Sequence, residues 1–395
     1  MKKVLLASAA ALATTGAHAQ DNSIKLGIVL GFTGPLESLA PGMAAGAEMA
    51  MEEVSESGLL LDGTTVESVQ GDSTCIDAAA ATAATERLIT SDGVSGIVGA
   101  DCSGVTGAML TNVAVPNGMV MISPSATSPG LSEAEDNGLF FRTSPSDARQ
   151  GVIISDVLME QGIESVALTY TNNDYGKGLA DAFQSAYEEA GGTVTISAAH
   201  EDGKADYSSE IGALSAAGGD RLVVAGYVDQ GGSGIVRAAL DSGAFDTFHF
   251  PDGMISQALV DNFGSEIDGS SGDNPGTDSP GAQAYQDMAS EAGYDGTSPF
   301  SAEAYDAAAL ILLAMQAAGS SDPATYKDSV MDVANAPGEE ILPGELEKGL
   351  QILLDGGEID YVGASAVELI EPGESAGNYR IVGFENGEMV VEGYR

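Results

Sequence analysis

Short apolar runs alternate with helical segments through most of this chain, and this alternation restricts its fold more than any other feature. Residues 24–30 form an apolar run that ends in a glycine-rich turn, and an alanine-rich helix follows over residues 42–57 and stops at Gly58. Further short runs lie at residues 65–70, 96–99 and 119–122. Strands that are joined by helices pair in parallel, with helices on both faces of the sheet. The first part of the chain therefore predicts a doubly wound α/β unit.

The same pattern starts again near Ser146 and Asp147, which are typical of a helix N-cap. Strands are predicted at residues 165–170, 193–198, 221–225 and 248–250, and again at 358–370 and 378–391. Residues 265–280 are rich in glycine, serine, aspartate and proline and predict a loop or crossover. A chain of 395 residues is long for one hydrophobic core. We therefore expect two α/β lobes, each built on a doubly wound parallel sheet.

Residues 1–19 have the organisation of a secretory signal peptide. Lys2 and Lys3 precede an apolar stretch, and Ala17 and Ala19 match an A-x-A cleavage site before Gln20. The apolar stretch is too short to remain as a membrane span. We therefore expect an exported, soluble mature protein.

The chain is strongly acidic, with 59 acidic residues against 14 basic residues and a net charge of −45. Nucleic acids and anionic membranes both need a basic surface, so neither is expected as a partner. Two explanations of the charge remain. One is the capture of cations, and the other is an acidic surface suited to a salty medium, where screening relieves self-repulsion. The acids are scattered singly and in pairs, which favours the second explanation.

Few residues suit catalysis or metal binding. Only His200 and His249 follow the leader, and they lie far apart. A GxSxG pattern occurs at residues 373–377, but a nucleophile elbow needs a later histidine, and none follows His249. The sequence contains neither a phosphate-binding P-loop nor a GxGxxG motif. We therefore expect a protein that is not an enzyme and that has no cofactor and no metal.

Cys75 and Cys102 are the two cysteines of the chain. An even number in an exported protein favours a disulfide. A redox pair or a metal site is the alternative, but CxxC spacing and a neighbouring histidine are both missing from the sequence. The bond would join two adjacent β–α turns.

A polar loop follows the apolar run at residues 119–122. It contains four hydroxyl side chains and two prolines that prevent the strand from continuing: Ser123, Pro124, Ser125, Thr127, Ser128 and Pro129. Ligands of open α/β sheets bind outside the carboxyl ends of the strands. The loop therefore predicts half of a small-molecule site, although turn chemistry alone also explains its serines.

Six motifs in the right order resemble the type I periplasmic solute-binding proteins of ABC transporters, in the leucine/isoleucine/valine-binding branch. They are IKLGIVLGFTGPL at residues 24–36, Cys75 with the Cys102-Ser103 turn, SPSATSPGL at 123–131, FFRTSPSD at 140–147, NDYGKGLADAF at 173–183 and AEAYDAAALI at 302–311. The resemblance covers nearly the whole mature chain.

The resemblance implies two lobes joined by three hinge crossovers, near residues 141–143, 253–256 and 371–378. The first lobe would comprise residues 20–141 and 254–374, and the second would comprise residues 142–253 and 375–395. The lobes would close over a ligand, and an ABC transporter permease in the inner membrane would read the closed form. The protein would then be a periplasmic monomer.

In the first lobe, the resemblance implies three contacts with an amino acid. Ser103 matches a serine that binds the ligand carboxylate, although a helix N-cap would also explain it. Ser125 would offer its backbone beside Ala126, which is also expected to line the ligand site. Thr127, on the other side, would donate its N–H to the carboxylate and offer its hydroxyl to the ammonium, and turn chemistry is the alternative.

In the second lobe, Tyr175 and Tyr227 match tyrosines that close over the ligand, and buried core positions are the alternative. Asp252 matches an acid that pairs with the ligand ammonium, and a plain turn residue is the alternative. The leucine-binding proteins have glutamate there, and they have an aromatic residue where this chain has Leu39 or Ala40. These departures leave the side chain of the ligand open.

The leading hypothesis is an amino-acid-binding component of an ABC importer, with an aliphatic or branched-chain ligand. The same fold could instead bind an amide, urea or an aromatic acid. It could also serve as a sensory protein that presents its ligand to a receptor. A hydrolase that uses Ser375 is the third hypothesis.

Overall fold

The computed structural model describes residues 23–395, so the predicted signal peptide at residues 1–19 lies outside the described residues. The strands are β1 (Ser23–Leu30), β2 (Thr65–Asp72), β3 (Gly96–Gly99), β4 (Met121–Ser123), β5 (Phe140–Pro145), β6 (Ser165–Thr171), β7 (Thr193–His200), β8 (Arg221–Ala225), β9 (Phe248–Phe250), β10 (Ser271–Pro275), β11 (Glu339–Ile341), β12 (Ile359–Tyr361), β13 (Leu369–Ile370), β14 (Glu374–Ser375), β15 (Tyr379–Glu385) and β16 (Glu388–Tyr394). The helices are α1 (Ala40–Ser57), α2 (Ala78–Arg87), α3 (Ser103–Met109), α4 (Val115–Asn117), α5 (Asp147–Glu160), α6 (Asp174–Glu189), α7 (Ser208–Ala217), α8 (Gly231–Ser242), α9 (Gln257–Phe263), α10 (Pro280–Ala292), α11 (Ser301–Ala318), α12 (Pro323–Tyr326), α13 (Val330–Val333) and α14 (Leu346–Leu354).

Two seven-stranded sheets form the framework, one in each lobe. The first has the order β13-β14-β5-β4-β3-β1-β2, and the second has the order β16-β15-β10-β9-β8-β6-β7. Neighbouring strands from β1 to β5 are parallel, and so are neighbouring strands from β6 to β10. Antiparallel pairs occur at one edge of each sheet, where β13 meets β14 and where β15 meets β10 and β16. The predicted α/β class with two parallel-sheet lobes is confirmed.

The central strands are apolar because helices cover both faces of each sheet. Every residue of β3 and β8 is buried, and the last five residues of β1 are buried as well. Helix α11 is buried on almost all sides, between α1, α14 and the first sheet. A helix that is apolar all round is expected in such a position. These elements form the core that holds the cleft loops in place.

Capping side chains set the start of the helices near the cleft. Asn173 accepts the N–H of Gly176 at 3.0 Å at the start of α6, and Ser146 accepts the N–H of Ala148 at 3.3 Å at the start of α5. The predicted N-cap at Ser146 is confirmed. Asp147 is the first residue of α5, and its side chain does not act as the cap.

The chain passes between the sheets three times. It passes from β5 to α5 after Pro145, from β10 to α10 between Pro275 and Pro280, and from β14 to β15 between Ser375 and Tyr379. The first and third passages lie within a few residues of the predicted crossovers. The second lies about twenty residues after the predicted site at residues 253–256.

This difference corrects the predicted lobe boundary. The segment from residue 254 to 275 lies with the second sheet rather than with the first lobe, because β10 pairs with β9 and β15. The predicted loop or crossover at residues 265–280 is a crossover only in its last residues, after Pro275, because β10 occupies Ser271–Pro275. The sequence of this strand, SGDNP, carries no apolar pattern. Its buried polar side chains are satisfied by His249, Gln150 and Arg380, which lie far away in the sequence.

The predicted strand at residues 358–370 is divided into two short strands, because a turn separates β12 from β13. The Asp306 carboxylate accepts the N–H groups of Ala364 and Ser365 at 2.7 and 2.8 Å and thereby fixes the turn.

The hairpin turn at Asn386 between β15 and β16 is confirmed. Within residues 23–395, no helix is long and apolar enough to cross a membrane.

Candidate ligand-binding cleft

The loops at the carboxyl ends of the two sheets face each other across a cleft. The N–H of Asp229, in the second lobe, donates to the carbonyl of Pro35 in the first lobe at 3.2 Å. The Asp229 carboxylate accepts the N–H of Ser38 at 2.8 Å. A cavity of about 380 Å³ between the lobes is lined by Gly104 from the first lobe and Asn173 from the second, among others. The two lobes are therefore in direct contact at one side of the cleft.

Hydrogen bonds within the loop after β4 hold its shape. The Ser123 hydroxyl accepts the N–H groups of Ser125 and Ala126 at 3.3 and 2.9 Å. The Ser125 hydroxyl donates to the carbonyl of Asp101 at 3.0 Å. These two hydroxyls form hydrogen bonds that stabilise the turn, which was the alternative role that the sequence analysis gave to the serines of this loop. The backbone carbonyl of Ser125 and the side chain of Thr127 remain the parts of the loop that are suited to a ligand.

Arg142 on β5 is a residue of the site that the sequence analysis missed. Its guanidinium is 1% exposed and donates to the carbonyls of Ala126 and Ser128, at 2.9 Å each. It also pairs with Glu374 at 2.5 Å. Arg142 therefore fixes the loop that carries Thr127. An arginine inside an otherwise buried strand was the signal that could have revealed it.

Ser103 lies beside this loop, and the predicted disulfide precedes it. Cys75 and Cys102 are bonded, with 5.2 Å between their Cα atoms, and they join the turns that follow β2 and β3. Ser103 is the first residue of α3 rather than its N-cap, which is Cys102. The Ser103 hydroxyl accepts the N–H of Ser128 at 3.1 Å. Its position against the loop agrees with the predicted role, and the predicted ligand contact stays a prediction.

The second lobe contributes a stacked pair of tyrosines and an acid. The rings of Tyr175 and Tyr227 stack with their centroids 5.2 Å apart. The Tyr175 hydroxyl donates to the Asp252 carboxylate at 2.6 Å and accepts the N–H of Gly253 at 3.2 Å. A Cβ atom at Gly253 would lie 2.6 Å from the Gly226 carbonyl, so this approach requires glycine. The geometry holds Asp252 rigidly at the cleft.

Burial controls the electrostatics of Asp252. It raises the pKa of this carboxyl to about 6, and the negative charge of Asp273 adds to the shift, while the Tyr175 hydroxyl opposes it. The pKa of Tyr175 is raised well above its ordinary value, because the ring is buried and lies near Asp252 and Asp147. Tyr175 is therefore a neutral hydrogen-bond donor at any physiological pH.

Asp147, on α5, links the two halves of the cleft and was also missed as a site residue. Its N–H donates to the carbonyl of Thr127 at 2.9 Å. Burial and the charge of Asp252 raise the pKa of Asp147 well above its ordinary value, and the Thr127 hydroxyl and Arg142 lower it. Asp147 is therefore close to both the hydroxyl loop and the acid of the second lobe.

All seven predicted ligand residues are buried at the cleft. They are Ser103, Ser125, Ala126 and Thr127 from the first lobe and Tyr175, Tyr227 and Asp252 from the second. Together with Asp147, they bring several hydroxyl groups, the loop after β4 and the carboxyl groups of Asp147 and Asp252 into one region.

Ser375 and the two histidines lie in different lobes of the part of the chain that the structure describes. No group of acidic, histidine or cysteine side chains there is arranged to hold a metal ion. Ser375, of the GxSxG pattern, lies in β14 beside β5. His249 bonds to Ser271 and Asp273, and His200 bonds to Thr169, all in the second lobe. These contacts give Ser375 no histidine partner.

The comparisons with known proteins agree with this architecture. A family model described as "Periplasmic binding protein" matches residues 23–336. The chain belongs to the periplasmic binding protein family. The Leu/Ile/Val-binding protein homolog 3 of Brucella melitensis is 31% identical over 59% of this chain and 62% of its own length. The leucine-, isoleucine-, valine-, threonine-, and alanine-binding protein of Pseudomonas aeruginosa is 28% identical over 76% of this chain and 80% of its own length. The predicted resemblance to the leucine/isoleucine/valine-binding branch is confirmed.

Solved structures show the same fold. A branched-chain amino acid transporter substrate binding protein from Streptococcus pneumoniae, in complex with isoleucine, has a TM-score of 0.77 at 23% identity and covers 94% of this periplasmic binding protein and 99% of that chain. A solute binding protein from R. palustris, in complex with benzoate, has a TM-score of 0.75 at 19% identity. The match covers 94% of this chain and 96% of that chain. At these identities the likeness concerns the fold alone, and the ligand must be argued from the cleft.

Proposed function

We propose that this protein is the periplasmic substrate-binding component of an ABC importer and that it binds an aliphatic α-amino acid between its lobes. One observation carries the proposal: the buried Asp252 carboxylate, held by Tyr175 at 2.6 Å, shares the cleft with the Thr127 loop. An acid on one side and a loop of hydroxyls and backbone groups on the other are complementary to an ammonium and a carboxylate on the same carbon.

Each end of the ligand has its own partners in this proposal. The carboxylate accepts the N–H of Thr127 and a hydrogen bond from Ser103. The ammonium donates to Asp252, to the Thr127 hydroxyl and to the backbone carbonyl of Ser125. Tyr175 and Tyr227 cover the ligand from the second lobe. The protein then acts by binding alone, without a catalytic step.

Closure of the two lobes makes these contacts simultaneous. Residues of the first lobe bind one face of the ligand, and Asp252 and the tyrosines reach it only when the second lobe closes. The contacts of Asp229 with Pro35 and Ser38 fasten the closed form. A permease in the inner membrane then recognises this form and receives the ligand. A structural neighbour that is named a branched-chain amino acid transporter substrate binding protein supports this part of the proposal.

An aromatic carboxylate is the second candidate ligand, because a structural neighbour is in complex with benzoate. Leu39 or Ala40 occupies the position of an aromatic residue in the leucine-binding proteins, so the pocket wall differs there and the side chain of the ligand stays open. However, a carboxylate without an ammonium would meet the buried acids of this cleft with no compensating charge. An amide, urea or a role in presenting a ligand to a receptor are further alternatives.

Isothermal titration of the mature protein distinguishes these candidates. We expect saturable binding of aliphatic L-amino acids and no binding of benzoate, acetamide or urea. Asp252→Asn should weaken amino-acid binding by about 10- to 100-fold, because a charge-assisted hydrogen bond is lost. Asp261→Asn, which changes an exposed acid on α9, serves as the matched control. Binding of benzoate or an amide in the absence of amino-acid binding would overturn the proposal.

A further inference from the structure

A glycine inside α6, Gly178, faces the other lobe. Glycine weakens a helix interior relative to alanine, so its presence there requires an explanation. The backbone does not provide one, because the φ of Gly178 is not positive. The surrounding space does. A Cβ atom at this position would lie 2.8 Å from Cδ of Pro129 and 3.1 Å from Oγ of Ser128, both of which belong to the first lobe.

Gly176, two residues earlier, shows how a glycine that the fold requires differs from this one. A Cβ atom at Gly176 would lie 2.2 Å from the carbonyl oxygen of Thr171, which is in the same lobe. Alanine there would disturb the second lobe whether the cleft is open or closed. The three atoms nearest to a Cβ at Gly178 all come from Ser128 and Pro129. Alanine at Gly178 therefore conflicts only with the contact between the lobes.

The wall of the first lobe opposite this glycine is rigid. Ser128 donates its N–H to the Ser103 hydroxyl at 3.1 Å, and its carbonyl accepts a hydrogen bond from Arg142 at 2.9 Å. The Cδ atom of Pro129 belongs to a ring that is closed onto the backbone nitrogen, so it cannot rotate away. This wall is part of the loop that carries Thr127.

Helix α6 is fixed as firmly in the second lobe. It packs so closely against α5 that a Cβ atom at Gly151 would lie 2.6 Å from the backbone nitrogen of Phe183. Leu179, Phe183 and Tyr187 are buried along α6. Because packed elements of this kind yield little, neither partner can withdraw inside its own lobe. Moving the lobes apart is the remaining way to relieve a clash at this contact.

We propose that Gly178 is a positioning residue for ligand binding, because the absence of its side chain allows the two lobes to close. Tyr175 lies three residues earlier on the same face of α6. The contact of Gly178 with Pro129 therefore brings the helix of Tyr175 against the loop that carries Thr127. The inference rests on one part of the proposed function, the closure of the lobes over a ligand, and not on the identity of that ligand.

A small side chain at this position acts on closure alone. Apparent affinity depends on the fraction of the protein that can adopt the closed form, so a clash in that form lowers the affinity for every ligand by the same factor. The order of preference among ligands does not change, because no contact with the ligand is altered. The ligand-free protein keeps or gains stability, since alanine favours the helix.

Isothermal titration of Gly178→Ala against aliphatic L-amino acids, benzoate, acetamide and urea tests the proposal. We expect every ligand of the wild type to bind about 5- to 100-fold more weakly, as for other overpacked sites, and the order of the ligands to stay the same. Urea unfolding of the ligand-free variant should show a stability equal to or above that of the wild type. Gly212→Ala, in α7 of the same lobe, is the matched control and should leave affinity unchanged, because no atom lies within 4 Å of its added Cβ.

A second substitution identifies the first lobe as the source of the clash. Pro129→Ala removes Cδ, so Gly178→Ala should weaken binding less in the Pro129→Ala background than in the wild type. Small-angle X-ray scattering gives a structural readout. At a ligand concentration that saturates the wild type, Gly178→Ala should have a larger radius of gyration than the wild type, and the double variant should be more compact than Gly178→Ala.

The outcomes separate this inference from the proposed function. If Gly178→Ala binds amino acids as tightly as the wild type, the inference is wrong and the proposed function stands. A changed order of ligands, or a loss of affinity that persists in full in the Pro129→Ala background, would also overturn the inference. If the wild type binds benzoate or an amide but no amino acid, the proposed function fails, and the same comparison with that ligand decides the role of Gly178.

Discussion

The ionised form of Asp252 is unfavourable in the ligand-free protein, whereas the ammonium of the proposed ligand would favour it. Burial raises the pKa of its carboxyl from the ordinary 3.8 to about 6, and Asp273 contributes to the shift. An ammonium site needs this group as a carboxylate at neutral pH. If Asp252 binds the ligand as proposed, its ionised form lowers the stability of the ligand-free protein.

We predict that Asp252→Asn stabilises the ligand-free protein at pH 7.5. Below pH 3.8 the group is protonated in both the folded and the unfolded chain, so it has no effect. As the pH rises toward 6, only the unfolded chain ionises, and the wild type loses up to about 3 kcal/mol of stability. Asparagine avoids this loss and still accepts the Tyr175 hydrogen bond. Urea unfolding at pH 4 and pH 7.5 measures the difference between the two proteins, which should grow with pH.

An equal difference at both pH values would contradict this account of Asp252. Asp261→Asn again serves as the control, because an exposed acid should show little pH-dependent effect. The same Asp252→Asn substitution should weaken ligand binding, so stability and affinity change in opposite directions.

The sequence indicated the polar residues of the cleft more readily than its buried charges. Ser103 and Thr127 lie a few residues beyond the ends of β3 and β4, and such a position after a strand can be recognised from local patterns. Asp147 was interpreted only as part of a cap, and Asp273 lay in a predicted loop. Their burial depends on contacts with Thr127 and His249, which are distant in the sequence. Local patterns cannot report such contacts.

Among the elements, β10 shows why one part of the fold could not be predicted. Strands β1, β3 and β8 are apolar because both faces are covered, and that pattern is visible in the sequence. Strand β10 is equally buried, but it is polar and is satisfied through His249 and Arg380. Pairing with β9 and β15 determines its structure, so the second passage between the lobes was placed too early.

The disulfide connects two elements that carry the cleft loops, and its removal should be costly. Cys75 and Cys102 are 27 residues apart in the chain. Closing a loop of this length in the unfolded state corresponds to about 3.5 kcal/mol by the chain-entropy model. We predict that the double variant Cys75→Ala/Cys102→Ala loses about 2–4 kcal/mol of unfolding free energy, measured by urea titration.

Reduction of the wild type offers an independent check on that prediction. Reduced wild type and the double variant should unfold at similar urea concentrations, and the oxidised wild type should unfold at a higher one. A loss below about 1 kcal/mol would mean that the loop is already constrained in the unfolded chain.

At the scale of the whole molecule, a buried titratable side chain lies at each of the three passages between the lobes, an acid at the first two and a tyrosine at the third. Asp147 follows the first passage, Asp273 precedes the second, and Tyr379 follows the third. The two-lobe architecture itself was predictable, because the alternation of strands and helices occurs twice. The meeting of these side chains at one point was not, because it depends on how three separated segments pack together. A ligand that neutralises the negative charge of this region would therefore affect all three segments that connect the lobes and that bend when the lobes close.

The net charge of −45 should make the stability of the whole molecule depend on salt. The charges repel one another, and added salt reduces the screening length from about 10 Å at 0.1 M to about 3 Å at 1 M. We predict that the thermal midpoint of the ligand-free mature protein rises by several degrees between 0.1 and 1 M NaCl, measured by differential scanning calorimetry. Choline chloride provides the control, since its bulky cation screens charge but does not fit a small cation site. Equal rises in the two salts would support an acidic, solvating surface. A rise confined to NaCl would instead indicate specific cation capture, because screening alone does not distinguish one monovalent cation from another.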